Sequence, residues 1–229
     1  MNIIVTGATK GIGKAITQKY AADAANTLLV CARNEAELQE LKGSSINNNI
    51  EIFTCDMSVK QQVLAFADWC LVFGAPHIVV NNAGSFVPGN ISNEEDGAIE
   101  KMIEINLYSA YHLTKKLLPA MMQTKAGHIF NMCSIAGLQA YENGGSYSIS
   151  KFALAGFTQN LRHELKLHHI KVTGIYPGAV YTNSWAGSGV SEDRIMQVND
   201  IADMVYAASK LSPQACVEDI VLRPQLGDL

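Results

Sequence analysis

The sequence has no strong excess of charge of either sign. Its 229 residues include 17 Lys and Arg against 21 Asp and Glu, a net charge of −4, and the basic residues form no stripe along the chain. Binding to nucleic acid relies on such a basic surface. The composition therefore argues against nucleic acid as the main partner, and an anionic ligand would have to be held by a local site.

Long hydrophobic runs are missing as well. Although 48% of the residues are hydrophobic, nowhere do about 18 apolar residues follow one another, the length that a membrane-spanning helix needs. The opening residues MNIIVTG lack the basic segment that begins a signal peptide. We expect neither a membrane span nor a signal peptide.

Cysteine is sparse and scattered. The chain has five cysteines, at positions 31, 55, 70, 133 and 216. Their number is odd, no two form a C-x-x-C pair, and no histidine stands beside them at the spacing of a metal site. The pattern predicts no metal and is typical of a protein from a reducing cytoplasm.

Repeats, low-complexity tracts and proline-rich linkers are absent, so one domain over residues 1–229 is expected. Short β-branched runs alternate with longer stretches whose apolar residues recur at helical spacing. The runs lie at residues 2–6, 27–31, 50–54, 77–81, 128–133, 171–176 and 218–223. Because parallel strands are joined by crossovers that are usually helical, the alternation predicts an α/β fold. This fold is a doubly wound parallel sheet of about seven strands with about six helices on its two faces.

A glycine-rich turn follows the first predicted strand. TGATKGIG occupies residues 6–13, with Gly7, Gly11 and Gly13 at the opening of a helix. Glycines let the backbone bend tightly and approach a pyrophosphate, whose charge is met by the amides and dipole of the helix start. An ordinary glycine turn is the alternative, but a place between a strand and a helix is the context that a dinucleotide site requires.

Residues near the second strand indicate which dinucleotide is bound. Arg33 follows this strand, where an acidic residue would favour the ribose hydroxyl of NAD and an arginine favours the 2′-phosphate of NADP. Lys10, inside the glycine turn, is placed to reach the same phosphate. NADP(H) is therefore predicted over NAD(H). The alternative is that Arg33 is a solvated loop charge.

Two further strand ends carry candidate cofactor contacts. Asp56, in CDM, is placed to accept a hydrogen bond from an adenine amine. NNAG, at residues 81–84, brings small residues and amides close to the cofactor. Asp56 as the N-cap of the next helix is an equally good interpretation.

Tyr147 and Lys151 form the candidate catalytic pair. Ser134 follows the fifth strand, and Tyr147 comes at the start of a helix with Lys151 one turn further along the same face. A free phenol is too weak an acid to exchange protons readily near neutrality. A neighbouring ammonium and a helix N-terminus both favour the phenolate.

The same Tyr-x-x-x-Lys spacing occurs at two other places, Tyr111 with Lys115 and Tyr206 with Lys210. Neither pair follows a strand-end serine at a comparable distance. We interpret both as half-buried packing of the tyrosine beside a solvated lysine.

Together, these motifs resemble those of classical short-chain dehydrogenases/reductases. The resemblance extends from residue 2 to about residue 182 through TGATKGIG, NNAG, Asn106 in IEINLYSAYHL, Ser134, YSISK and YPGAVYT, in this order. It implies a Rossmann-like sheet of seven parallel strands, a nicotinamide cofactor and a homodimer or homotetramer. The implied catalytic group is Asn106, Ser134, Tyr147 and Lys151. The implied cofactor contacts are Gly7, Thr9, Lys10, Gly11, Ile12, Gly13, Arg33, Asp56, Met57, Asn82, Ala83, Gly84, Tyr147, Lys151, Pro177, Gly178, Val180 and Thr182.

The resemblance also implies a role for each catalytic residue. Tyr147 donates a proton to a carbonyl oxygen while the carbon receives a hydride from NADPH, and Ser134 polarises and aligns that oxygen. Lys151 hydrogen-bonds the nicotinamide ribose, and Asn106 holds a water that links the lysine to solvent. Without the resemblance, Asn106 is a polar residue that interrupts a helix.

The sequence departs from the family pattern near the predicted substrate. Cys133 stands where a second serine is frequent and is expected to be a small buried residue. The segment after Thr182, residues 183–197, is short and contains glycine, and the C-terminal residues lack the glycine-rich ending of the family's acyl-carrier-protein reductases. We hypothesise an open pocket for a small substrate. Its candidate lining, equally compatible with a subunit contact, is Phe86, Leu138, Tyr141 and Trp185.

The predicted function is hydride transfer between NADP(H) and a small carbonyl or alcohol substrate. A catalytically silent dinucleotide-binding regulator on the same fold is the alternative, disfavoured because a sensor needs no proton donor. An epimerase or dehydratase is disfavoured because so short a chain has no added sugar-nucleotide domain. The apolar helical segments near residues 100–125 and 150–165 are candidate faces of a homo-oligomer.

Overall fold

The computed structural model describes residues 1–182, 185 and 189–228 of the chain. Its strands are β1 (Asn2–Thr6), β2 (Thr27–Ala32), β3 (Ile50–Thr54), β4 (Ile78–Asn81), β5 (Gly127–Met132), β6 (Ile170–Pro177) and β7 (Asp219–Leu222). They form a parallel sheet in the order β3-β2-β1-β4-β5-β6-β7. Every predicted strand is confirmed with its ends displaced by one residue at most. The inner strands are buried almost throughout, which is why their runs are apolar.

The described residues contain seven α-helices, where the sequence predicts about six. They are α1 (Gly11–Ala21), α2 (Glu35–Gly43), α3 (Lys60–Val72), α4 (Ala98–Ile103), α5 (Ser109–Thr124), α6 (Gly145–Leu165) and α7 (Val198–Ser209). The difference arises at residues 99–118, whose periodicity predicts a single helix. A π-helical turn at Glu104–Tyr108 divides this stretch into α4 and α5.

The core has two layers because alternate residues of each strand point to opposite faces of the sheet. Ile3 and Val5 of β1 pack on one face with Ile16 of α1 and Val205 of α7. Ile4 packs on the other face, against residues of α3, α5 and α6. Both faces are thus covered by helices, as predicted.

The strand order reverses between β1 and β4, which are neighbours in the sheet. In open α/β sheets, a ligand crevice lies beyond the carboxyl ends of the strands at such a point. Because the strands are parallel, the turns after β1, β4, β5 and β6 all lie at this edge. The edge therefore positions the candidate site.

Several features often tied to function are missing from the described residues. No helix there combines the length and the hydrophobicity needed to cross a membrane. Within the same ranges, His, Cys, Asp and Glu side chains form no cluster of three that could hold a metal ion. The five cysteines are free thiols, of which Cys216 is exposed and the others are buried.

Candidate active site

The glycine turn forms a tight cradle between β1 and α1. Gly7 and Gly11 have φ angles of 66° and 51°, a backbone conformation that favours glycine. A Cβ atom on Gly13 would collide with the Gly7 carbonyl oxygen, and Ile12 beside it packs on the core. The first turn of α1 has no side-chain cap, which leaves its amides for an anionic ligand. These features fit the pyrophosphate of a dinucleotide.

Thr6 and Asn82 fasten this turn to the end of β4. Thr6 Oγ1 accepts hydrogen bonds from Asn82 N at 3.0 Å and Ala83 N at 2.9 Å. Asn82 Nδ2 donates to Thr6 O at 2.9 Å and to Gly7 O at 3.2 Å. The Asn82 side chain, predicted to contact the cofactor, therefore shapes the turn that would hold it.

The two cations predicted to bind a 2′-phosphate lie beyond the ends of β1 and β2. Arg33 follows β2 and is exposed. Lys10, the N-cap of α1, reaches towards α2, where its Nζ lies 2.8 Å from Glu37 Oε1. The Lys10 ammonium lowers the pKa of the Glu37 carboxyl below its ordinary value, with smaller contributions from the Thr9 hydroxyl and the Asn34 amide. The predicted phosphate-binding lysine is thus paired with a carboxylate.

Asp56 lies after β3, but it does not cap α3. Val59 is the N-cap of that helix, so the alternative interpretation of Asp56 is wrong. Asp56 Oδ1 accepts hydrogen bonds from Ser58 N at 2.9 Å and Ser58 Oγ at 2.7 Å. Partial burial tends to raise the pKa of Asp56, but these bonds and the charge of Arg33 outweigh burial and lower the pKa. Met57, the next predicted contact, is buried.

Lys151 is a buried cation at the carboxyl ends of β4 and β5. Only 5% of its surface is exposed, and its Nζ donates a hydrogen bond to Met132 O, the last carbonyl of β5, at 2.8 Å. A Cβ atom on Gly84 would lie 3.6 Å from Nζ. Nζ also lies 5.7 Å from the centre of the Tyr147 ring. Buried lysines are rare because desolvation of the ammonium is costly, which marks this position as a candidate for function.

Burial separates this pair from the two other pairs with the same spacing. Lys115 Nζ lies 5.6 Å from the Tyr111 ring centre, and Lys210 Nζ lies 4.8 Å from that of Tyr206. The distances between ammonium and ring are thus similar in all three pairs. Lys115 on α5 and Lys210 at the end of α7 are exposed, whereas Lys151 is buried at the crevice.

Ser134 lies beyond β5 and begins a short 3₁₀ turn at Ile135–Gly137. Its Oγ accepts a hydrogen bond from Ala136 N at 3.1 Å. Ser148 Oγ donates to Ala136 O at 2.6 Å, which docks this turn on the start of α6. Burial raises the pKa of the neighbouring Cys133 thiol to about 11, in agreement with its expected place in the core.

Asn106 lies in the π-helical turn between α4 and α5 and is buried. Its Oδ1 accepts a hydrogen bond from Ser85 N at 2.9 Å, and its Nδ2 donates to Ser85 O at 3.0 Å and to Ser150 Oγ at 2.9 Å. A Cβ atom on Gly84 would lie 2.9 Å from Oδ1. Asn106 and Lys151 therefore face the same glycine. Such π turns are frequent at functional sites.

The loop at residues 84–97 closes against the start of α6. Glu94 accepts hydrogen bonds from Ser146 N at 2.8 Å and from Ser146 Oγ. A carboxylate at this position satisfies helix amides and complements the helix dipole. Phe86 of the same loop packs edge-on against the Tyr147 ring, with a centroid distance of 4.8 Å and an interplanar angle of 77°. A Cβ atom on Gly145 would collide with the Glu94 carboxylate, so a glycine is needed there.

The residues predicted to line the substrate pocket are Phe86, Leu138, Tyr141 and Trp185. Phe86 contacts Tyr147, and both Leu138 and Tyr141 are exposed. Although Tyr141 is 42% exposed, partial desolvation of its hydroxyl, with a smaller effect from Tyr147, raises the pKa of Tyr141 to about 12. Trp185 N donates a hydrogen bond to Thr182 O at 2.9 Å. Residues 183, 184 and 186–188 lie outside the described residues, so the short, open lid stays a prediction.

The end of β6 forms the opposite side of the crevice. Pro177 is the last residue of β6, and Gly178 hydrogen-bonds to β7. Val180 forms a bridge with the segment that precedes α7. A Cβ atom on Gly11 would lie 3.1 Å from Thr182 Cγ2. The segment after β6 therefore meets the glycine turn after β1.

Sequence reasoning did not single out three residues that organise the site: Thr6, Glu37 and Glu94. Thr6 is the first residue of the glycine motif, and this position could have identified it. Glu37 and Glu94 give no such signal, because each acts through a partner on a distant segment.

The fold and the crevice define a Rossmann-like α/β protein with its candidate site at the switch point of the sheet. A family model described as short chain dehydrogenase matches residues 1–192. An uncharacterized oxidoreductase of Staphylococcus epidermidis is 32% identical over 225 residues, which cover 96% of this chain and 96% of the relative. The chain belongs to the short-chain dehydrogenase family and is an oxidoreductase of that family.

Solved structures share the whole fold. The closed form of serine dehydrogenase complexed with NADP+ has a TM-score of 0.89 and 26% identity and covers 100% of this chain and 97% of that chain. A 7α-hydroxysteroid dehydrogenase complexed with NADH and 7-oxo glycochenodeoxycholic acid has a TM-score of 0.87 and 26% identity, with 99% and 94% covered. The shared fold therefore accommodates either dinucleotide, and the side chains of each protein decide between them.

Proposed function

We propose that the protein is an NADP(H)-dependent reductase or dehydrogenase of a small carbonyl or alcohol, with Tyr147 as general acid and base. The observation that carries the proposal is the buried Lys151 ammonium at the carboxyl ends of β4 and β5, one helical turn from Tyr147. A cation so placed stabilises negative charge on a neighbouring phenol. Burial of an ammonium costs free energy, and stabilisation of the phenolate gives a functional reason for a lysine at this position.

The glycine cradle supports the binding of a nicotinamide dinucleotide. The turn at residues 6–13 leaves no room for a Cβ atom at Gly13, and the start of α1 has no side-chain cap. Arg33 and Lys10 stand at the ends of neighbouring strands and support NADP(H) over NAD(H). When bound, the nicotinamide supplies the hydride for reduction or accepts it in oxidation.

Each catalytic side chain has a separate task. Tyr147 gives its phenolic proton to the carbonyl oxygen in reduction and takes it back in oxidation. Ser134 Oγ accepts a hydrogen bond from its own turn, and its hydroxyl proton is available to donate to the same substrate oxygen and align it. Lys151 stabilises the phenolate of Tyr147. Asn106 holds the segment at Gly84 and Ser85, which faces Lys151, through its two bonds to Ser85.

The apolar surface of two helices supports a homodimer or homotetramer. Tyr108 precedes α5 and Tyr111 lies in it, while Ile149 and Phe152 lie in α6, and all four side chains are exposed. We infer that a second copy of the chain covers these side chains. Buried free thiols support a reducing compartment such as the cytoplasm.

The proposal is tested with a panel of aldehydes, ketones and 3-oxoacids with NADPH, and of alcohols and 3-hydroxy acids with NADP+. Turnover is followed by nicotinamide absorbance. For a substrate so found, Tyr147→Phe should lower kcat/KM by roughly 100- to 10,000-fold, because the proton donor is lost. NADPH affinity, measured by nicotinamide fluorescence, should stay nearly unchanged.

Tyr206→Phe is the matched control, because Tyr206 has the same spacing to a lysine, Lys210, which is exposed and lies outside the candidate site. It should keep full activity. Full activity in Tyr147→Phe would contradict the mechanism. Tight dinucleotide binding with no turnover on any of these compounds would favour the silent regulator instead.

A further inference from the structure

The region that would receive the 2′-phosphate already contains a carboxylate. Glu37 Oε1 lies 2.8 Å from Lys10 Nζ and accepts a hydrogen bond from Asn34 Nδ2 at 3.1 Å. Asn34, the N-cap of α2, in turn accepts a hydrogen bond from Glu37 N at 3.3 Å. Glu37 is therefore held at the start of α2 by its backbone and by its carboxylate, and it is directed towards the glycine turn.

Glu37 and a 2′-phosphate would compete for the same cation. The Lys10 side chain is 59% exposed, so its ammonium can turn towards a ligand if it leaves Glu37, whereas the Glu37 side chain is only 27% exposed and is tied to Asn34. A 2′-phosphate brings nearly two negative charges to the position that the carboxylate faces, and like charges this close repel. The ribose hydroxyl of NAD(H) carries no charge, so it neither competes with Glu37 for Lys10 nor is repelled by the Glu37 carboxylate.

Arg33 does not share this constraint. It is exposed beyond the end of β2, and its charge acts on Asp56. The preference between the two dinucleotides is then a balance in which Arg33 and Lys10 attract the phosphate and Glu37 opposes it.

We propose that Glu37 is a specificity-determining residue that weakens NADP(H) binding relative to NAD(H), because it holds Lys10 and repels the 2′-phosphate. This inference rests on the proposed function only in requiring that the crevice bind nicotinamide dinucleotides. It does not depend on the substrate, on turnover or on which dinucleotide the wild type prefers.

Glu37→Gln tests the proposal through binding alone. Glutamine keeps a side-chain oxygen for Asn34 and removes the charge. Dissociation constants of NADPH and NADH are measured by nicotinamide fluorescence. We expect NADPH to bind about 3- to 10-fold more tightly in the variant, because the interaction between two exposed charges is modest. NADH, which lacks the 2′-phosphate, should change by less than about 2-fold. The gain should shrink at high salt.

Glu40→Gln is the matched control. Glu40 lies on the same helix and loses the same charge, but its carboxylate is 76% exposed and lies 3.9 Å from Lys14, away from Lys10. It should leave both dissociation constants unchanged. Glu37→Ala should shift the NADPH to NADH ratio in the same direction as Glu37→Gln, and circular dichroism verifies that each variant is folded.

An unchanged NADPH to NADH ratio in Glu37→Gln would overturn the proposal, as would an equal gain for both dinucleotides or the same shift in Glu40→Gln. These outcomes would leave the proposed function standing. A wild-type protein that binds neither dinucleotide would overturn both.

Discussion

Three basic side chains make the crevice locally positive although the chain as a whole is negatively charged. The net charge is −4, yet Lys10, Arg33 and Lys151 all lie at the crevice edge of the sheet. A ligand with several phosphates is repelled by the average field and attracted only by such local cations. The exposed side chains of Lys10 and Arg33 can change conformation when a ligand binds, whereas the buried Lys151 ammonium has a fixed position.

Arg33→Asp tests the contribution of one such cation. The change replaces an attractive charge beside the proposed 2′-phosphate position with a repulsive one. We expect the dissociation constant of NADPH to rise by about 10-fold or more, with NADH affinity kept or improved, because hydrogen bonds between charged groups are strong. Fluorescence titrations with both dinucleotides measure the change. If their ratio does not move, Arg33 lies outside the cofactor site and is the solvated loop charge of the alternative interpretation.

At the scale of secondary structure elements, the site depends on how loops close against helix starts. The start of α6 receives the Glu94 carboxylate, and the turn after β5 docks on it through Ser148. The π turn before α5 directs Asn106 to Gly84. The first two contacts hold Tyr147 and Ser134 through the backbone of their elements, whereas Asn106 is also held by its own side chain through its bonds to Ser85.

Glu94→Ala tests the contact between the 84–97 loop and α6. Removal of a helix cap costs about 1 kcal/mol, so local opening of the first turn should become about fivefold more frequent. Hydrogen exchange at the Ser146 amide, which donates to Glu94, should accelerate by that factor. Glu95→Ala, at the exposed neighbouring carboxylate, is the control and should leave the rate unchanged. Equal exchange in both variants would show that Glu94 does not cap the helix.

At the scale of the whole molecule, His128 links three segments of the core. It lies in β5 and is buried, and its Nε2 lies 2.7 Å from Thr173 Oγ1 of β6, which donates to Val217 O at 2.5 Å. Burial lowers the pKa of His128 from 6.5 to about 3, with a smaller effect from Lys171. A protonated imidazole would be a costly charge between the strands.

Acid should therefore destabilise the protein in a defined range. Between pH 6.5 and about 3 the unfolded chain binds a proton at His128 that the folded chain excludes, so the free energy of unfolding falls as pH falls through this window. Urea unfolding at pH 7 and at pH 5 measures the loss. His128→Gln, which keeps a donor for Thr173 but cannot ionise, should lose less stability on acidification than the wild type. The exposed His169, replaced by Asn, is the control, and an equal acid effect in all three proteins would exclude His128 as the cause.

The order of elements and the candidate catalytic positions follow from the sequence. The apolar runs predict every strand. The inner strands are buried on both faces and have to be apolar along their length, while β3 and β7, at the edges, are only partly buried and are recognised by their β-branched residues. The glycine turn places the start of α1, and spacing places Ser134 after a strand and Tyr147 and Lys151 in the first two turns of a helix, since these are local features of the chain. One local feature misled prediction, because the periodicity over residues 99–118 continues through the π turn.

The sequence singles out Tyr147 and Lys151 through the preceding Ser134, but only tertiary structure decided that Lys151 is buried at the crevice while Lys115 and Lys210 are exposed, because burial depends on elements that the pair does not contain. Tertiary structure also decided that Lys10 faces Glu37 and that Glu94 meets Ser146. These are contacts between polar side chains on separate segments, and polar residues on loops and helix starts carry no periodic pattern that names a distant partner. Hydrophobic periodicity reports which face of an element is buried, whereas the partners of a charge are set only when the segments pack together.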